Sequence, residues 1–160
     1  KEGSTVFIPD KTWGNHVAIC KDAGLDVKRY RYYDAKTCGL DQDGLLEDLS
    51  TIPERSVVLL HACAHNPTGV DPTKEQWRQV LDVVLSRGHL ALFDSAYQGF
   101  ASGDADADAF ALRLFADAKA PMMICQSFAK NFGLYGQRVG TFSIVCDNAE
   151  EADKVLSQVK

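Results

Sequence analysis

Leu90-Ala91-Leu92-Phe93-Asp94-Ser95-Ala96-Tyr97 is the stretch that decides the fold: four apolar residues in a row, an aspartate directly behind them, then an aromatic hydroxyl. A short apolar run without polar alternation reads as a strand covered on both faces, as in a parallel sheet beneath helices. The same layout occurs at Val57-Val58-Leu59-Leu60 and at Met122-Met123-Ile124-Cys125, and Phe142-Ser143-Ile144-Val145-Cys146 supplies a fourth run. Helical patterns lie between them. Trp77, Val80, Leu81, Val84 and Leu85 share one face, Thr73 with Gln76 makes a capping-box signature, and Gly88 closes the segment. A second helix is expected over Ala107 to Ala118, burying Phe110, Ala111, Leu114 and Phe115. Asp104, Asp106 and Asp108 would form its solvated start, because the loop lacks the glycine and the terminal glutamate of a calcium site. Near the front, Trp13, His16, Val17 and Cys20 fall on one helix face, Val27 to Tyr33 reads as a peripheral strand, and a last helix starts at Asn148 with Ala152, Val155, Leu156 and Val159 as its stripe. Strand and helix in this rhythm predict an α/β fold, a mostly parallel sheet flanked by helices, with ligands at the carboxyl ends of the strands.

Composition narrows the function classes. The chain has 160 residues, 46% hydrophobic and 24% charged, a globular balance for which one domain is the default. A formal charge of −5 gives no footprint for gripping a phosphate backbone, so nucleic acid is not an expected partner. No apolar run approaches the roughly 18 residues of a membrane helix, and no membrane association is expected. The five cysteines form no CxxC pair and are read as reduced thiols of an intracellular protein.

The polar residues behind the apolar runs carry the chemistry. An aspartate ending a buried strand needs a cationic partner, so Asp94 is either half of an ordinary salt bridge or a ligand for something cationic. Lys130, one crossover later, could be that partner, or an amine kept in an apolar pocket for covalent chemistry. His61, Cys63 and His65 alternate along an extended segment at metal-ligand spacing, although histidines hydrogen-bonded within the crevice explain them as well. Asn66-Pro67-Thr68-Gly69 reads as a turn, in which proline sets φ and glycine permits a left-handed position. The glycines at 133, 136 and 140 match neither GxGxxG nor a P-loop.

Taken together, Trp13-Gly14-Asn15-His16, His61 to Gly69, Phe93 to Phe100 and Ser127 to Gly140 closely resemble the aspartate aminotransferase family, whose members are fold type I transferases using pyridoxal 5'-phosphate. The match is ordered and spans nearly the whole chain. The resemblance implies that Lys130 holds the cofactor as an internal Schiff base and shuttles the proton between the substrate α-carbon and the cofactor. It implies that Asp94 pairs with the pyridine nitrogen, that Asn66 and Tyr97 hydrogen-bond the phenolic oxygen, that Trp13 stacks on the ring, and that His16 orients the aspartate. Ser127 and Arg138 are similar to phosphate ligands, and His61 to a supporting polar group near the ring. With the asparagine aimed at the cofactor in this way, a cis Asn66–Pro67 bond is expected. No metal site is implied.

The same resemblance sets further expectations. Residues 1–160 would be a partial large, cofactor-binding domain, with the small domain and an N-terminal segment absent, and this piece alone would be inactive. Exposed apolar faces are the expected consequence. The implied reaction is transamination between L-aspartate and 2-oxoglutarate by a homodimer. Aromatic amino acid transamination is the alternative within the family, and a non-catalytic α/β interaction domain or a metal hydrolase on His61, Cys63 and His65 the alternatives outside it. Cytoplasm is the expected compartment, with mitochondria as the alternative.

Overall fold

The computed structural model describes residues 4–159. The elements in chain order are β1 (Thr5–Pro9), α1 (Asn15–Asp22), β2 (Asp26–Tyr30), a small hairpin of β3 (Tyr33–Asp34) and β4 (Gly39–Leu40), α2 (Gln42–Thr51), β5 (Val57–His61), α3 (Lys74–Arg87), β6 (Leu90–Ser95), α4 (Ala105–Asp108), α5 (Phe110–Asp117), β7 (Met122–Ser127), a 3₁₀ turn at Tyr135–Gln137, β8 (Gly140–Ile144) and α6 (Ala149–Val159). Six strands form one sheet in the order β2-β1-β5-β6-β7-β8. The first five are parallel, and β8 runs antiparallel to β7.

The alternation of side chains along each strand divides the core into two layers. On one face Val58, Leu60, Ala91, Phe93 and Met122 meet Leu45 and Leu49 of α2, Trp77, Val80 and Val84 of α3, and Phe115 of α5. Phe93 and Phe115 meet edge to face with ring centroids 5.0 Å apart, an arrangement that adds quadrupole attraction to area burial. On the other face Val6, Ile8 and Leu59 pack with Cys20 of α1. The apolar runs of β5 and β6 are thus covered on both faces, whereas that of β7 is buried at Met122 and exposed at Cys125.

The helix α3 is built as its sequence predicts. The Thr73 hydroxyl accepts from the Gln76 N–H, the Gln76 side chain accepts from the Thr73 N–H, and Gly88 ends the helix in the left-handed region at φ 64°. Its buried face is Trp77, Val80, Leu81 and Val84, whereas Leu85 is exposed. Asn148 likewise caps α6, its side-chain oxygen accepting from the Glu151 N–H.

Other expectations are corrected. Phe142–Cys146 is displaced to Gly140–Ile144, an antiparallel and largely solvent-facing strand at the sheet edge, where β7 is its one pairing neighbour among the described residues. The expected helix over Ala107–Ala118 is two short helices broken at Ala109, beginning at Ala105. Asp104 is the N-cap and Asp106 pairs with Arg113, but Asp108 is not a solvated helix start. It is buried, accepting from the N–H groups of Gly99, Ala101 and Ser102 and from the Ser102 hydroxyl. Burial alone would raise the Asp108 pKa; the hydrogen bonds from Ser102, Ala101 and Gly99 outweigh it and hold the carboxyl below its ordinary value. The peripheral strand ends at Tyr30, with Tyr33 in the separate hairpin. Trp13 precedes α1 rather than lying on its face. Strand β1 and helix α2 carry no sequence signal strong enough to be anticipated.

Apolar side chains open to solvent gather in the last third of the chain, among them Phe132, Tyr135, Phe142, Leu156 and Val159. No helix among the described residues is long and apolar enough to cross a membrane.

Candidate active site

The parallel register aligns three strand ends: His61 of β5 lies opposite Asp94 of β6, which lies opposite Cys125 of β7. The polar residues after each apolar run are thereby brought to one edge of the sheet, where a cavity of about 240 Å³ opens. Trp13, His61, Asn66, Asp94, Tyr97, Ser127, Lys130 and Arg138, expected at the site, all line it. His16 stands behind this wall. Cys63, a candidate metal ligand by its spacing, also lines the cavity, as does Tyr135, for which no role was expected.

The residue that meets Asp94 within the chain is His16, not Lys130. His16 Nε2 lies 3.0 Å from Asp94 Oδ2, and the other carboxylate oxygen has no hydrogen-bond partner among the described residues. Lys130 Nζ instead sits 4.4 Å above the ring of Tyr97, an attraction of cation for π-face. Neither Lys130 nor Arg138 forms an ion pair with any described residue. Arg138 has φ 51°, in the left-handed region, and its guanidinium donates to the Tyr135 carbonyl at 3.4 Å. The Ser127 hydroxyl accepts from the Ala129 N–H at 3.2 Å and keeps its proton free to donate.

Thr12, absent from the sequence reading, joins two of the histidines. Its Oγ1 is 2.8 Å from His16 Nδ1 and 2.8 Å from His61 Nε2. The direction of this relay follows from its far end. The Asn66 N–H can only donate, and it approaches His61 Nδ1 at 3.5 Å, so Nδ1 accepts and the His61 proton is on Nε2. That proton goes to the Thr12 oxygen, the Thr12 proton to His16 Nδ1, and the His16 Nε2 proton to Asp94. One hydroxyl between two imidazoles gave no signal in sequence, since Thr12 sits outside every motif that was read.

Burial keeps the inner histidines neutral. Desolvation lowers the His61 pKa to about 4, with His16 adding repulsion against the attraction of Asp94, and lowers that of His65 to about 3, assisted by the neighbouring imidazoles. His65 stacks on Tyr32 at 3.9 Å between centroids and bonds Thr68 Oγ1 through Nδ1. His65 Nε2 is buried without a hydrogen-bond partner, and no group of three His, Cys, Asp or Glu among the described residues is placed to hold a metal ion. Burial pushes the Cys63 thiol up to about 12, which leaves it without thiolate character at neutral pH. The Asn66–Pro67 bond is cis.

The donor set suits a particular kind of group. A free hydroxyl and an unpaired guanidinium match an anionic end, a carboxylate with an open oxygen matches a protonated ring nitrogen, and an amine lines the same cavity.

All 160 residues match the family model for aminotransferase class I and II. The chain belongs to that family. Among aminotransferases with the same segment, mitochondrial aspartate aminotransferase of Gallus gallus is 57% identical over 155 residues, 97% of this chain and 37% of that protein. The chain thus spans little more than a third of the curated relatives it matches. The aspartate aminotransferase of Trypanosoma cruzi superposes with a TM-score of 0.96 at 51% identity, covering 99% of this chain and 41% of that one. The aromatic-amino-acid aminotransferase of Burkholderia pseudomallei, solved covalently bound to pyridoxal phosphate, superposes with a TM-score of 0.95 at 48% identity, covering 98% of this chain and 39% of that one. These likenesses make the sheet that of a fold type I aminotransferase.

Proposed function

We propose that this chain carries the cofactor site of a pyridoxal 5'-phosphate-dependent transaminase that moves the amino group between L-aspartate and 2-oxoglutarate, giving oxaloacetate and L-glutamate. The observation that supports it best is the convergence of Lys130, Asp94, Ser127 and Arg138, three of them charged and none paired with another, around one cavity. Pyridoxal phosphate, when bound, supplies an electron sink for the charge left by proton removal at the substrate α-carbon.

The chain's residues perform the rest. Asp94, held by His16, keeps a proton on the pyridine nitrogen, and the neutral relay through Thr12 and His61 fixes the carboxylate's orientation without adding a second positive charge. Lys130 Nζ is the covalent anchor and the base that carries the α-proton. Asn66 and Tyr97 donate to the phenolic oxygen, Trp13 covers the ring, and Ser127 and Arg138 hold the phosphate.

Residues 1–160 in this reading are part of the large domain of a homodimeric enzyme, and the open apolar side chains from Phe132 to Val159 support that view. Aspartate is favoured over aromatic substrates by the name of the Gallus gallus relative, whose mitochondrial location also favours mitochondria over the cytoplasm first expected. The test is turnover by the full-length protein loaded with cofactor. Oxaloacetate formation from aspartate and 2-oxoglutarate, with kcat/KM above that for phenylalanine, is expected. Preference for phenylalanine would move the assignment to the aromatic enzymes, and no turnover of either would overturn it.

A further inference from the structure

Asn66 reaches the cavity from the tip of a turn that leaves β5 after His61 and returns to the buried Pro72 at the start of α3. Pro67 and Gly69, at that tip, are exposed, so packing does not hold the asparagine in place. Its one backbone tie to the site, the N–H to His61 Nδ1, is 3.5 Å long. The turn is fixed instead from behind. Asp71 Oδ2 accepts from the Ala64 N–H at 2.6 Å and Asp71 Oδ1 from the His65 N–H at 2.8 Å. Ala64 has φ 47°, a left-handed conformation that an L residue holds only when its surroundings impose it. Two successive N–H groups converging on a carboxylate are such an imposition. The returning leg is pinned separately, by the Tyr32 hydroxyl donating to the Val70 carbonyl at 2.6 Å.

We infer that Asp71 is a positioning residue that sets the Asn66 side chain against the cofactor's phenolic oxygen by clamping the base of this turn, although it does not line the cavity itself. The inference rests on the cofactor reading above. It gives a mechanical reason for the aspartate two residues past Gly69: the carboxylate ties α3, whose capping box begins two residues later, to the strand end that carries the site.

The experiment is a pH titration of the bound cofactor's visible absorbance in the full-length, cofactor-loaded protein. If Asn66 stabilises the phenolic oxygen's anionic form, loosening it raises the midpoint. Asp71→Ala is expected to raise it by about half a unit to one unit, the effect of weakening one hydrogen bond to a charged acceptor. Asn66→Ala should shift it in the same direction, and the double variant no further than Asn66→Ala alone. Asp71→Asn, which keeps one acceptor, should shift it by less, and it carries the test if Asp71→Ala does not fold. A midpoint unmoved in Asp71→Ala, or in Asp71→Asn when that variant stands alone, would reduce Asp71 to a structural residue and overturn the inference. Additive shifts in the double variant would do the same. Absence of any cofactor band in the unaltered protein would instead overturn the cofactor reading.

Discussion

Replacing Thr12 by valine removes one hydroxyl from the molecule at nearly constant volume, and two imidazoles depend on that hydroxyl. His16 and His61 are each 6% exposed, so their ring nitrogens have little access to replacement water. Thr12→Val therefore deletes two hydrogen bonds of 2.8 Å and leaves a donor on His61 and an acceptor on His16 without partners. An orphaned buried polar group costs about 1–3 kcal/mol, and Thr12 is itself half-buried, so partial solvation of the gap places the total near about 2–3 kcal/mol. Equilibrium urea denaturation at pH 7.5 reads the difference, with Thr12→Ser, which restores the hydroxyl, as the recovering variant. A Thr12→Val protein within about 0.5 kcal/mol of the parent would refute the relay, because the two histidines would then be satisfied by something other than Thr12.

Stability should also fall in mild acid. Because His61 and His65 have folded-state pKa values lowered to about 4 and about 3, their neutral forms contribute fully above the ordinary value of 6.5. That contribution is lost as the pH drops from there toward 4, where the unfolded chain takes up protons the folded one refuses. The expected loss is about 2–3 kcal/mol per pH unit near pH 5, and it should be roughly halved in His65→Gln; an unchanged slope in that variant would contradict the assignment. At the sheet edge, a Cβ on Gly140 would overlap the Gln126 carbonyl oxygen on the paired strand. Gly140→Ala is expected to cost about 1–3 kcal/mol and to speed amide exchange in β7 and β8 while sparing β5 and β6, whereas equal exchange throughout would argue against that contact.

The sequence disclosed the middle of the molecule better than its margins. β5 and β6 pack between helices and β7 packs on one face, so burial wrote itself into their composition as unbroken apolar runs, and the residues behind those runs were found for the same reason. β1 is only five residues long and ends at Pro9, and α2 packs through little more than Leu45 and Leu49, so neither leaves a periodic signal. β8 was recognised as a strand, but direction is set by the connection and the partner, and neither is encoded in hydrophobicity. Asp108 illustrates a further limit. Three aspartates at alternate positions look alike in sequence, yet one caps, one pairs at the surface and one is buried under four hydrogen bonds, a distinction made by the loop at 99–102. Thr12 and Asp71 escaped notice because each acts on another residue rather than on the cavity.

The proposed function rests on Lys130 as the covalent anchor of the site. Borohydride reduction of the full-length, cofactor-loaded protein, followed by digestion and peptide mass spectrometry, tests it directly. The account predicts the added cofactor mass on Lys130 alone, with none incorporated in Lys130→Ala. Reduction that labels a different lysine, or labels Lys130→Ala as fully as the parent, would contradict it.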